Sequence, residues 1–198
     1  MNTRNPAQKG ETPPSKKVAY LVVTAVGKDR PGIVDEFSKF VLERDCSIED
    51  SRMAVLGGEF AIVVLIVGAG ENVARIQDEI KPFAEKSEIN VTAKPTEPHV
   101  ARMPEGYVPY RLRGTGVDHP GIVQKFSHML HEAGANIESL DTRTYSAPVS
   151  GTPVFHFDMV VEVPARLAIA SLRQRLLKLA DAENLDLEVH PIVATDRV

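Results

Sequence analysis

Two short segments of the chain carry groups able to hold a small charged molecule. Gly27-Lys-Asp-Arg-Pro-Gly-Ile-Val34 recurs as Gly116-Val-Asp-His-Pro-Gly-Ile-Val123, 89 residues later. Each sets an aspartate, Asp29 or Asp118, just ahead of a Pro-Gly pair and an apolar run at helical spacing. Proline suits a first helical turn, where its missing N–H costs nothing. The other N–H groups of that turn have no intrahelical acceptor, and with the helix dipole they favour an anion. Gly32 and Gly121 leave the backbone open to close approach. An N–H cluster beside a carboxylate matches a zwitterion: the N–H groups take an amino acid's carboxylate and the aspartate its ammonium. An aspartate here also suits a helix cap, worth about 1 kcal/mol. The two roles are compatible, and the spacing alone leaves both open.

Other chemistry finds less support. His128 and His131 lie three apart on a helical segment with His119 upstream, but no cysteine or carboxylate set completes a metal site. The buried stripe of that segment is Ile122, Phe126, Met129, Leu130 and Ala133, which leaves both histidines toward its edge or solvent. Cys46, the single cysteine, has no activating neighbour and reads as a small buried or half-buried residue. Arg52 and Arg143 fall on strands and Arg173 and Arg175 on a helix, where solvent or salt-bridge roles are the default. There is no nucleophile elbow, phosphate-binding loop or dinucleotide fingerprint. No metal, cofactor or catalytic residue is expected.

The elements that position the loops repeat with them. Phe37-Ser38 matches Phe126-Ser127, and Ile48-Glu49 matches Ile137-Glu138. Further on the offset becomes 96: Val73, Ile76, Ile80 and Phe83 align with Ile169, Leu172, Leu176 and Leu179. About seven extra residues therefore enter the second copy, most naturally in the Pro/Gly/Ser-rich segment 146–153. A repeat of about 80 residues indicates duplication of a whole domain, not a short-period solenoid.

In copy one, 18–26 reads as a strand, then a helix with Ile33, Val34, Phe37, Val41 and Leu42 on its apolar side. Strands 48–56 and 60–67 follow, joined by Gly57-Gly58, then a second helix through Val73 to Phe83 and a last strand at Ile89 and Val91. Copy two repeats the order: strand 110–117, helix 120–133, strands 136–145 and 154–163, helix 165–182, strand 184–191. The fold class is α+β, two tandem ferredoxin-like βαββαβ domains. Expected limits are a disordered tail at 1–17, domains at 18–95 and 110–193, and a proline-rich linker at 96–109. The strand 155–163 alternates apolar and polar residues, so one face of the second sheet is wet. Strands 18–26 and 60–67 have almost no polar positions. The first sheet is therefore expected to pack its open face on another sheet, in this chain or a second copy.

Composition sets the class. The chain has 198 residues, 43% hydrophobic and 25% charged, which suffices for buried cores. Its net charge of −4 supplies no bulk electrostatic footprint for nucleic acid. One cysteine excludes an internal disulfide and fits a reducing, cytoplasmic setting. No run approaches the ~18 apolar residues of a membrane span, and no signal-peptide pattern opens the chain.

The Gly-x-Asp-x-Pro-Gly-Ile-Val signature, its helix, and the strand openings Cys46-Ser-Ile-Glu-Asp-Ser-Arg52 and Ala135-Asn-Ile-Glu-Ser-Leu140 resemble the ACT domain. The tandem pair, with its second hairpin Arg143 to Pro153, resembles the family of glycine cleavage system transcriptional repressors. The resemblance covers about 18–193. It implies a regulatory module that binds a small amino acid, such as glycine or serine, where domains meet. It implies a site built from this loop and the start of a neighbouring domain's second strand. Carried over by position, those residues are Gly27, Asp29, Arg30, Pro31, Gly32, Ile33 and Ser47, and Gly116, Asp118, His119, Pro120, Gly121, Ile122 and Asn136. Many ACT sites use an amide at the strand position, which Asn136 supplies and the shorter Ser47 does not. The resemblance further implies no enzymatic activity, a homodimer, and action through a DNA-binding activator protein instead of direct DNA contact. The alternative is a regulatory subunit or module for an amino-acid-pathway enzyme.

Overall fold

The structure, a computed structural model, describes residues 17–97 and 106–192. The chain divides into two compact units on either side of residues 100 and 101. The expected tail, apart from Lys17, and segment 98–105 of the expected linker lie outside the described residues.

Unit one runs β1 (Val18–Lys28), α1 (Ile33–Leu42), β2 (Ser47–Leu56), β3 (Glu59–Ala69), α2 (Gly70–Lys86) and β4 (Ile89–Thr96). Unit two runs β5 (Tyr107–Val117), α3 (Ile122–Glu132), β6 (Asn136–Ser146), β7 (Pro153–Pro164), α4 (Ile169–Ala182) and β8 (Leu185–Pro191). Each forms one antiparallel four-stranded sheet, in the orders β2-β3-β1-β4 and β6-β7-β5-β8. The βαββαβ order and the α+β class read from the repeat are present in both units.

The duplication extends to fine detail. The β2–β3 and β6–β7 ladders each slip by one residue, at Glu49 and at Glu138. Such bulges re-aim the start of an edge strand. The hairpins differ. Gly57 and Gly58, at φ 62° and 84°, close the β2–β3 turn in two residues. This is the left-handed pair that matches strand twist. The β6–β7 connection takes the extra residues and closes on Ala147 N–H to Thr152 O, 2.8 Å.

Alternate residues of the central strands build the cores. Leu21, Val23 and Ala25 of β1 and Phe60, Ile62, Val64 and Ile66 of β3 are buried with α1 and α2. Phe155, Phe157, Met159, Val161 and Val163 of β7 do the same with α3 and α4. Their neighbours His156, Asp158 and Glu162 lie on the wet face, as the alternation predicts. There Asp158 takes Arg113 Nε at 2.9 Å, and His156 Nδ1 meets Thr115 Oγ1 at 2.8 Å.

Two details depart from the sequence reading. On α1, Val34 and Leu42 are 46% and 71% exposed, whereas Phe40 is buried. Phe40 stacks on Phe83 of α2 at 4.4 Å, with the Arg44 guanidinium over its ring at 3.6 Å. The buried stripe of α1 thus faces α2 as well as the sheet. On α4 the helix begins at Ile169, not at 165. Residues after Pro164 form a turn closed by Leu167 N–H on Pro164 O. On the open face of the first sheet, Val26 and Val63 are 45% and 48% exposed within unit one.

Candidate ligand-binding loops

Both Asp-x-Pro-Gly loops fold alike. Asp29 N–H donates to Gly58 O at 3.1 Å, and Asp118 N–H to Pro153 O at 2.9 Å, so each loop is tied to its unit's hairpin. The N-cap positions are Gly32 and Gly121, at φ 89° and 100°. Only glycine takes that backbone without strain. Neither helix has a side-chain cap. The capping role open to Asp29 and Asp118 is therefore not used. Among the described residues, no hydrogen bond or ion pair engages either carboxylate.

Pro31 and Pro120 precede the N-cap glycines, and Ile33 and Ile122, buried, anchor the first turns. Gly27 and Gly116 serve packing: an added Cβ would stand 2.7 Å from Ile89 Cγ2 at Gly27 and 2.3 Å from Asn184 O at Gly116. These glycines let the last strand of each unit start against the loop.

Ser47 and Asn136 are not brought to their own loops. Ser47 pairs with Val67, and Val67 with Tyr20, whereas the loop leaves β1 after Lys28. From Tyr20 to Gly27 the strand advances seven residues, roughly 23 Å at ~3.3 Å each. Asn136 likewise pairs with Glu162, beside Pro109, far along β5 from Val117. Its Nδ2 donates to Glu162 Oε2 at 3.0 Å.

Arg30 and His119 open onto a contact that sequence reading did not single out. Arg30 forks onto Glu36, with Nη1–Oε1 2.7 Å and Nη2–Oε2 2.6 Å, and reaches Ser87 O at 3.5 Å. The Arg30 hydrogen bonds hold the Glu36 carboxyl below its ordinary range. His119 Nε2 lies 3.2 Å from Glu183 O, and Lys125 Nζ sits 2.7 Å from both Glu183 carboxylate oxygens. Ser87 and Glu183 are the C-caps of α2 and α4. In the repeat alignment, 30, 36 and 87 correspond to 119, 125 and 183 at the same two offsets. That alignment was the available signal. Each loop is clasped to the end of its second helix, with different charges.

The clasps set the electrostatics of the first turns. The first turn of α1 carries Asp35 and Glu36; that of α3 carries no acid. A trough of about 870 Å³ runs from Arg30 and Ser87 between α1 and α2, floored by Phe40, Pro82 and Phe83. Arg44 crosses it to Glu79, which also takes Arg75 Nε at 2.8 Å.

Elsewhere, Cys46 is buried against Gly68, and burial pushes its thiol up. Arg52 pairs with Asp50, and Arg175 with Glu132 at 3.3 Å. Among the described residues no His/Cys/Asp/Glu group is placed to hold a metal, and no helix is long and apolar enough to cross a membrane.

The chain is 29% identical over 170 residues to the glycine cleavage system transcriptional repressor of Escherichia coli (strain K12), covering 83% of this chain and 86% of that one. A crystal structure of an unknown protein from Galdieria sulphuraria superposes with a TM-score of 0.73 at 27% identity, over 89% of this chain and all of that one. A crystal structure of a candidate glycine cleavage system transcriptional repressor gives a TM-score of 0.65 at 26% identity, over 88% and 98%. The ACT domain profile matches residues 19–94 and 112–190, one match in each unit. The chain is a tandem regulatory protein belonging to the ACT domain family.

Proposed function

We propose that this protein senses a small amino acid, glycine or serine in kind, at its Asp-x-Pro-Gly loops. It passes that state to a partner protein, a DNA-binding activator of glycine metabolism, without itself touching DNA or catalysing a reaction. One observation carries the reading. In both units a glycine-capped helix N-terminus lacks a side-chain cap, while the aspartate beside it has no partner within the described residues. A zwitterion supplies what both groups lack. The relationship to the Escherichia coli repressor supports the partner class.

Each unit holds its loop and its second-strand residue at opposite ends of the sheet. A complete site therefore takes its strand residue, Ser47 or Asn136, from a neighbouring domain. The apolar open face of the first sheet supports pairing as a homodimer, and the likeness to a transcriptional repressor supports a cytoplasmic setting. The ligand then favours one arrangement of domains by its difference in affinity between arrangements.

The test is a thermal-shift screen against the twenty amino acids. Binding to the native state raises Tm by mass action. A selective, saturable shift lost in Asp118→Ala supports the reading. No shift with any amino acid refutes ligand sensing.

A further inference from the structure

We propose that the open face of the first sheet binds the same face of a second copy about a twofold axis parallel to the strands, and that the second sheet takes no part. This rests on the homodimer reading above, whose surface and geometry it names, and not on ligand sensing.

Strand register lays out the face. One level runs Asp50 of β2, Leu65 of β3, Val22 of β1 and Lys94 of β4. The next runs Arg52, Val63, Thr24 and Thr92. The middle of the face is thus largely apolar, and its charges stand at the edges. A shallow hollow of about 180 Å³ lies over Val22, Val63 and Leu65, with Asp50 and Arg52 on its rim. Side chains of two stacked sheets interdigitate, so such a hollow seats another sheet.

Charge selects the occupant. A twofold axis along the strands, between β3 and β1, sets β2 over the partner's β4 and β3 over the partner's β1. Levels are kept, so Asp50 faces the partner's Lys94 at both edges, and Leu65 covers the partner's Val22. Asp50 and Lys94 are both exposed in the single chain. An axis across the strands at the Val63 level instead sets Arg52 on the partner's Arg52. Of the two axes, the first makes the face complementary to itself. Four strands about 4.8 Å apart and about ten residues long offer roughly 600 Å² on each side. The total of about 1,200 Å² clears the ~1,000 Å² of a specific interface.

The open face of the second sheet is of the other kind. At the same two levels it carries Arg111, then Arg113, Asp158 and Asp141 side by side. Asp158 takes Arg113 Nε at 2.9 Å and has Arg111 Nε at 3.3 Å, all partly exposed. Seating those ions on Val63 and Leu65 strips them of water and gives them no new partner.

Sedimentation equilibrium on the full chain tests this. Val63→Lys puts two unpaired ammonium groups at the centre and should weaken the dimer about a hundredfold or more, with far-UV circular dichroism unchanged. Asp50→Lys and Lys94→Glu each set like charges at both edges and should weaken it about tenfold. Mixed one to one, these two variants regain both opposite-charge pairs, and the heterodimer should return close to the parent's affinity. Arg113→Ala should change nothing. A parent that stays monomeric overturns this interface and the homodimer reading together. A dimer untouched by Val63→Lys, or edge variants that do not rescue each other, overturns the interface and leaves the homodimer reading standing. Loosening by Arg113→Ala overturns the exclusion of the second sheet. If Val63→Lys unfolds the chain, the edge variants, at exposed positions, decide alone.

Discussion

The two Asp-x-Pro-Gly loops have nearly the same sequence and backbone but are clasped by opposite chemistry. In unit one a loop cation meets an acid on the first turn of its helix, Arg30 on Glu36, and both are exposed. In unit two the acid has moved to the end of the second helix, Glu183, where it is nearly buried, and the first turn carries Lys125. The difference teaches that the motif fixes backbone shape, while residues outside it set the electrical character of the site. An anion arriving at α3 meets an acid-free first turn; one arriving at α1 meets Asp35 and Glu36. On this contrast the second loop is expected to be the better anion site.

The comparison can be broken at several points. The largest effect should come from the packing glycines. Gly116→Ala drives a Cβ to 2.3 Å from a backbone oxygen and should cost about 3 kcal/mol, whereas Gly27→Ala meets the Ile89 branch methyl at 2.7 Å and backbone only at 3.1 Å and beyond, and should cost about 2 kcal/mol. Urea denaturation of both variants measures this, and equal losses would remove the distinction. Next is Lys125→Ala, which strands the nearly buried Glu183 carboxylate and should cost about 2 kcal/mol. Arg30→Ala leaves only an exposed acid and should lower Tm less.

Ligand binding gives a third contrast. In calorimetry with the amino acid identified by thermal shift, Asp118→Ala should weaken binding about tenfold or more, the loss of a charge-assisted hydrogen bond. Asp29→Ala should weaken it less, and equal losses would sink the ranking of the sites. The smallest effect is on acid stability. Arg30 holds the Glu36 carboxyl below its ordinary range in the folded state. The stabilisation is present above the unfolded value and is lost as pH falls through the folded one. Arg30→Gln should therefore lower stability above the ordinary carboxylate range, flatten the acid limb, and change little at pH values low enough to protonate Glu36 in the folded state. An unchanged acid limb would remove Glu36 from the account.

Much of this was legible in sequence because duplication writes each element twice. The Gly57-Gly58 hairpin and the alternation of β7 have local signatures, whereas the matching bulges at Glu49 and Glu138 emerged only from strand register. Local signals failed where tertiary contact decides. Phe40 is buried because Phe83 and Arg44 meet it, and neither lies on the stripe that helical spacing draws through α1. The start of α4 slipped because Ala165 and Leu167 give their N–H groups to Gly106 and Pro164 instead of to a helical turn. The clasp was missed because its partners lie 57 and 64 residues apart and only their place in the repeat links them. The sequence reading assigns Ser47 and Asn136 to a neighbouring domain's loop, and strand register agrees in one respect only, setting each at the far end of its own sheet from its own loop.

The charge exchange between the clasps also bears on how the two halves of the gene can change. Copying a stretch of one half onto the other would normally be harmless between such similar repeats. Here a tract that carried only the loop and first turn from unit one into unit two would bring an Arg–Glu pair beside the nearly buried Glu183 and remove the lysine that neutralises it. The reverse tract would set a lysine beside a histidine with no acid at Ser87 to receive either. Exchanging the loops without loss should therefore require moving the end of the second helix with them, Ser87 or Glu183 included.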